Sequence, residues 1–200
     1  MSRNRWCAVL VLVAASLSLT VVAGCFGTMK RISPTKVNAA SAAAEAMTMY
    51  DANKDGKISG VELDKCPSLK ALGRDSKDGA ITAEVIEARI TQWQASKTGR
   101  VPTGVAVLHN GKGLADASVK LVPEKFLKDI ATATGKTDGH GATDVTVPTA
   151  VLGEPKGASL GFYRVEITKD GESIPAKYNT ETMLGVAVVG ETSVSFNLVY

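Results

Sequence analysis

The twelve residues Asp51-Ala52-Asn53-Lys54-Asp55-Gly56-Lys57-Ile58-Ser59-Gly60-Val61-Glu62 leave this chain fewer options than any other stretch. Oxygen-bearing side chains stand at positions 1, 3, 5, 9 and 12 of the segment, and glycine stands at position 6. A hard cation such as Ca²⁺ takes six to eight oxygens, and a loop of this length can wrap one only if a residue near its middle permits a sharp turn. The candidate ligands are Asp51, Asn53, Asp55, Lys57 through its backbone carbonyl, Ser59 directly or through a water, and Glu62 with both carboxylate oxygens. Three carboxylates around a divalent ion leave a local charge near −1. A metal-free polar turn would have no reason to match all six positions.

This spacing is that of an EF-hand loop, in which Ile58 at position 8 is the apolar residue that bridges to a paired loop. Ser59 and Glu62 also fit the S-x-x-E capping box, so the exit helix is expected to begin where the loop ends. EF-hands come in pairs, and "RDSKDGAITAEV", from Arg74, has the spacing of a second. Asp78-Gly79 falls at positions 5 and 6 and Ile81 at 8, but Arg74 replaces the first carboxylate and Val85 the last. Asp75 and Glu84 each lie one place out of register. This second hand reads as degenerate, with its fold signals kept and its metal lost. Pro67 closes the short first exit helix and opens a brief second entry helix, "SLKAL". The compact interval between the two Asp-Gly pairs also resembles dockerin modules, which recruit proteins through tandem calcium loops. Dockerins need both loops intact, which counts against that reading.

The N-terminus carries a different signal. Arg3 and Arg5 precede an uncharged run from Trp6 to Gly24, ending in Val22-Ala23-Gly24-Cys25. A positive start, an apolar stretch and small residues before a cut site make a secretory signal. The last four residues resemble the lipobox at which bacterial lipoproteins are lipidated and cleaved. A membrane-spanning anchor is the alternative, but Ser16, Ser18 and Thr20 make the run only moderately apolar. Loss of Arg3 and Arg5 would take the formal charge from +3 to +1, too little for a nucleic-acid partner. Of the three cysteines, Cys7 would leave with the signal and Cys25 would carry lipid. Cys66 remains alone, which excludes an internal disulfide framework and suits a buried structural thiol.

Periodicity divides the rest. "AASAAAEAMTMY" is helical, and "ITAEVIEARITQW" sets Ile86, Ile90 and Trp93 on one core-facing stripe. After Gly99 and Pro102, short β-rich runs alternate with Asn-Gly and Asp-Gly turns: "TGVAVLHNGKG", "ASVKLVP", "TDGHGATDVTV", "GFYRVEITKDGE", "GVAVVG" and "SVSFNLVY". About six or seven short strands in that half suggest a β-sandwich. "EKFLKDIATATG" and "PTAVLGEPKGAS" read as longer loops, the first with room for one helical turn. The succession of strand and hairpin over "TGVAVLHNGKGLADASVKLVP", the turn Thr137-Asp138-Gly139-His140-Gly141 and the strand "GFYRVEI" resembles the carboxypeptidase regulatory-like (transthyretin-like) family. That resemblance implies a non-catalytic accessory or adhesion-type module and carries no substrate with it.

The expected organisation is a signal peptide over 1–24, a tether over 25–38, a helical EF-hand pair over 39–98 and an all-β (prealbumin/Ig-like) sandwich over 99–200. Enzyme signals are weak. Gly157-Ala158-Ser159-Leu160-Gly161 matches G-x-S-x-G, but a nucleophile elbow needs a strand before it and a helix after it. Here a Gly/Pro loop precedes the serine and a strand follows. His109 and His140 begin no zinc-ligand spacing, and Gly111-Lys112-Gly113 is no phosphate loop. The expected function is that of a calcium-binding, non-catalytic lipoprotein, exported and held on the bacterial cell envelope by lipid on Cys25. Its role would be structural or interactive, with a protein or envelope polysaccharide as possible ligand. The alternative is a calcium-dependent recruiting module, or one that binds carbohydrate or peptide.

Overall fold

The structure, a computed structural model, describes residues 32–73, 79–148 and 154–200. The expected signal peptide, Cys25 and positions 74–78 of the second loop lie outside them. Among the described residues no helix is long and apolar enough to cross a membrane.

Among the described residues four α-helices come first. Helix α1 (Ala39–Tyr50) is capped by Asn38, whose side-chain oxygen accepts the Ser41 N–H at 2.9 Å. Its buried face consists of Ala42, Ala43 and Ala46, small enough for α4 (Ala83–Ala95) to lie close against it. Helix α4 buries Ile86, Ile90 and Trp93, the stripe expected from their spacing. Between them lie two short helices, α2 (Val61–Lys65) and α3 (Lys70–Gly73), separated by the turn at Pro67. The capping box is only half formed. Glu62 accepts the Ser59 N–H at 3.1 Å, but the Glu62 N–H goes to the Ser59 backbone carbonyl, and Gly60 occupies the cap position.

The remaining described residues form two four-stranded sheets. In one, β1 (Thr103–His109) turns through Asn110 (φ 50°) and Gly111 (φ 80°) into β2 (Lys112–Gly113), the mirror-image turn that Asn-Gly favours. β1 also pairs antiparallel with β5 (Ala142–Asp144), and in parallel with the last strand, β8 (Thr192–Leu198). The second sheet runs in the order β4 (Ala133–Lys136), β3 (Ser118–Pro123), β6 (Gly161–Thr168), β7 (Gly185–Val188). Strand β4 corrects the reading of "EKFLKDIATATG" as loop, since its end, from Ala133, pairs with β3. Ala133 is fully buried there, and Thr134 exchanges two backbone hydrogen bonds with Thr146, beyond β5, tying the sheets together at one margin.

Strand alternation puts Tyr163, Val165 and Ile167 of β6 on one side and Phe162 and Arg164 on the other. The second side meets the helices. Trp93 lies 4.7 Å from Phe162, Phe162 6.1 Å from Phe126, and Phe126 6.3 Å from Tyr50, ring centre to ring centre. Helical and β residues thus belong to one hydrophobic cluster across the boundary at 98/99. The described part of the expected tether is laid against this junction. The Val37 carbonyl accepts from the Gln94 amide at 2.6 Å, and a Cβ on Gly99 would come within 2.4 Å of the Ile32 carbonyl oxygen.

Candidate metal centre

The loop between α1 and α2 is wound by its own acids. Asp51 follows the last residue of α1, and its two oxygens accept the N–H groups of Asp55 (3.2 Å) and Gly56 (3.0 Å). The Asn53 side-chain oxygen accepts from Asp55 N–H at 3.0 Å, and Asp55 accepts from Lys57 N–H at 2.9 Å. Gly56 adopts φ 83°, the left-handed conformation that position 6 demands and that a side chain resists. Lys54 also lies there, at φ 58°.

Glu62 closes the ring. One of its carboxylate oxygens accepts the N–H groups of Ala52 (2.8 Å) and Asn53 (3.3 Å), and the other accepts that of Ser59. The last candidate ligand is thereby folded onto positions 2, 3 and 9 of the loop. The N–H donors, Ser59 first, hold its carboxyl below the usual carboxylate range, against the opposing effect of burial. The chain around it borders an open depression of about 460 Å³ lined by Ala52, Asn53, Ser59, Val61 and Glu62.

The second loop is joined to the first through position 8. Ile58 and Ile81 are both fully buried and exchange two backbone hydrogen bonds, of 2.8 and 3.0 Å. Gly79 is left-handed at φ 68°. The spacing argument therefore located the paired isoleucines, although Arg74, Asp75, Ser76 and Asp78 lie outside the described residues.

All six first-loop candidates offer oxygen, the donor a hard divalent cation prefers, and none offers nitrogen or sulfur. Among the described residues no three His, Cys, Asp or Glu side chains converge as a ready metal cluster. Asp51, Asp55 and Glu62 instead turn oxygens toward backbone N–H groups, and the remaining donors are an amide, a hydroxyl and a carbonyl. A carboxylate that accepts an N–H keeps further lone pairs for a cation. The donor set fits calcium on those terms.

The other sequence candidates fall elsewhere. Ser159 is buried just before β6, and its carbonyl accepts the Tyr163 hydroxyl at 2.8 Å. His140 lies exposed in its turn, where Asp138 accepts the His140 and Ala142 N–H groups, each at 2.9 Å. His109 ends β1, stacked on Tyr200 at 4.2 Å and 3.6 Å from Glu172. Cys66 is a buried free thiol, and burial raises its pKa well above the usual value. One polar residue went unseen in the sequence: Glu124, just past β3, is 1% exposed and accepts hydroxyl protons from Tyr50 and Ser68. Its neighbourhood "LVPEKF" has no spacing that would have marked it. The chain matches no protein-family model and no curated protein.

Proposed function

We propose that the loop Asp51–Glu62 binds one Ca²⁺, and that the ion serves to stabilise an exported, lipid-anchored protein with a structural or interaction role. The observation that carries this reading is the fold-back of Glu62, whose two oxygens are held over the start and the ninth position of an all-oxygen loop. Asp51, Asn53, Asp55, Ser59 and the Lys57 carbonyl would complete the shell, and the ion would supply charge neutralisation and a cross-link between chain positions. The degenerate second hand would act through Ile81, as a partner for Ile58 and not as a second site. The two sheets are read as a sandwich of the carboxypeptidase regulatory-like kind, and Val22-Ala23-Gly24-Cys25 as the lipid anchor. The buried setting of Ser159, with a strand after it, supports a non-catalytic role.

Lys54 and Lys57 flank the ligands and would lower cation affinity, which suits the steady calcium outside a cell. Extracellular modules bind at about 10⁻⁴ to 10⁻³ M. With free calcium near 1 mM and a dissociation constant of about 10⁻⁴ M, linkage adds roughly 1.4 kcal/mol. For a chain of this size that is a rise of about 3–6 °C in Tm. Calorimetric titration should give one Ca²⁺ per chain, with that rise in Tm and no added binding of a hydrophobic dye. Two comparable sites, or none, would refute the reading. A strong calcium-dependent dye signal would favour the recruiting module.

A further inference from the structure

We propose that Glu124 is the positioning residue that joins the calcium loop to the β-strands, so that filling the loop stabilises helices and sheets as one unit. The inference rests on the calcium reading above. Its carboxylate spans two chain segments that bracket the loop. One oxygen accepts the Tyr50 hydroxyl at 3.0 Å, and the other accepts the Ser68 hydroxyl at 2.7 Å. Tyr50 is the last residue of α1 and immediately precedes Asp51, the first ligand position. Ser68 follows α2, the helix that starts at the loop's end, and is fully buried. A single side chain from the β half thus grips the chain where it enters the loop and again shortly after it leaves.

The grip is braced on the β side. Arg164 of β6 brings its Nε to 4.0 Å from the oxygen that holds Tyr50. Gly185, the first residue of β7, lies so close to the other arm that a Cβ there would sit 2.3 Å from the Ser68 nitrogen. Phe126, two residues past Glu124, stands edge-on to the Tyr50 ring. Two hydroxyl donors converging from separate segments are met by one two-headed side chain, and a buried carboxylate without them would be costly. Metal binding fixes the separation of Asp51 and Glu62. Through Tyr50 and Ser68, that separation is already set against β3 and β6.

Amide hydrogen exchange on the full chain, with and without calcium, tests the coupling. At free calcium about a hundredfold above the dissociation constant, linkage multiplies the folded-to-unfolded ratio roughly 100-fold. Amides of β3 and β6 that exchange through an opening shared with the loop gain the same protection. Wild type should show that gain in loop and strands alike. In Glu124→Ala the loop amides should still respond while β3 and β6 respond by less than about threefold. Tyr50→Phe removes one hydroxyl and keeps the ring on Phe126; it carries the test if Glu124→Ala fails to fold, and should cut the strand response to below about tenfold. Glu124→Gln should preserve most of it, because the amide can accept from Ser68 and donate to the Tyr50 oxygen. Strands that ignore calcium in wild type while the loop responds would overturn the inference and leave the metal reading intact. So would a full strand response in Tyr50→Phe and Glu124→Ala, or its loss in Glu124→Gln. A loop that does not respond in wild type removes the calcium reading, and this inference with it.

Discussion

Trp93→Ala cuts the packing that fuses the helices to the second sheet. The indole is 5% exposed and centred 4.7 Å from Phe162, at the end of the ring series that runs through Phe126 to Tyr50. Truncating a buried aromatic to alanine costs about 3–5 kcal/mol, the higher values where the surroundings cannot collapse. Ile90, on the helical side, and Ile130, on the β side, border the same space. Against a total margin of about 5–15 kcal/mol the loss is large, equivalent to a fall of roughly 6–20 °C in Tm for a chain of this size. Trp93→Phe is the control. Among the described residues the buried indole N–H has no hydrogen-bond partner, and an unmet donor costs about 1–3 kcal/mol. Removing it offsets much of the lost ring area, so the phenylalanine variant should stay within about 1 kcal/mol of wild type. Urea unfolding followed by far-ultraviolet circular dichroism reads both halves at once. One transition should shift as a whole in Trp93→Ala, with helix and strand signals lost together. Two separate transitions, of which only the helical one moves, would refute the idea of a shared core and restore 39–98 and 99–200 as independent units.

Three further outcomes follow from the loop, the anchor and the β-turn. Glu62→Gln should weaken calcium binding more than tenfold by titration calorimetry, since it removes a charged bidentate ligand, whereas Lys57→Ala, which keeps the carbonyl, should not weaken it. Cys25→Ser should abolish incorporation of labelled fatty acid and leave the precursor uncleaved, and an unmodified N-terminus found elsewhere by mass spectrometry would disprove the anchor. Backbone N–H groups of Ala142 and His140 hold Asp138 below its ordinary pKa, so its stabilising effect is present above about pH 4 and is lost as the pH falls through the lower folded value. Asp138→Asn should therefore be less stable than wild type at neutral pH, with the difference shrinking in acid; a difference independent of pH would show that the charge is not involved.

What could be read from the sequence had a local cause. Gly56, the alternating oxygens and Ile58 lie within twelve residues, and the hydrogen bonds that wind the loop connect positions two to ten apart. Asn110-Gly111 dictates its own turn, and the Ile86, Ile90, Trp93 stripe follows from helical period alone. What escaped was set by distant partners. Strand β4 has no alternating apolar run, and its pairing comes from β3 and Thr146. The parallel pairing of β1 with β8 joins the two ends of the β half, and no local pattern encodes it. Glu124 looks like a surface residue after a proline, and only the arrival of Tyr50 and Ser68, 74 and 56 positions away, makes burial of its carboxylate tolerable. The half-formed capping box has a different origin. The Glu62 carboxylate does reach back to Ser59, with its other oxygen committed to Ala52 and Asn53 at the start of the loop, but the Glu62 N–H is taken by the Ser59 backbone carbonyl, so the Ser59 hydroxyl has no bond to make there.

That commitment bears on whether calcium would stabilise or signal. A calcium sensor works by swinging apart the helices that flank its loop, exposing an apolar groove. Here α1 and the turn after α2 are held by the same buried carboxylate, and the ring of Tyr50 is packed on Phe126. Opening would break two hydrogen bonds to a buried charged group, each worth about 1.5–3 kcal/mol, and would leave that group uncompensated. The roughly 1.4 kcal/mol from a millimolar supply of a weakly bound ion does not cover such a cost. It does suffice to add to a fold already closed, because nothing then has to move. The same residues that would make a calcium-filled loop a poor switch would make it an effective staple.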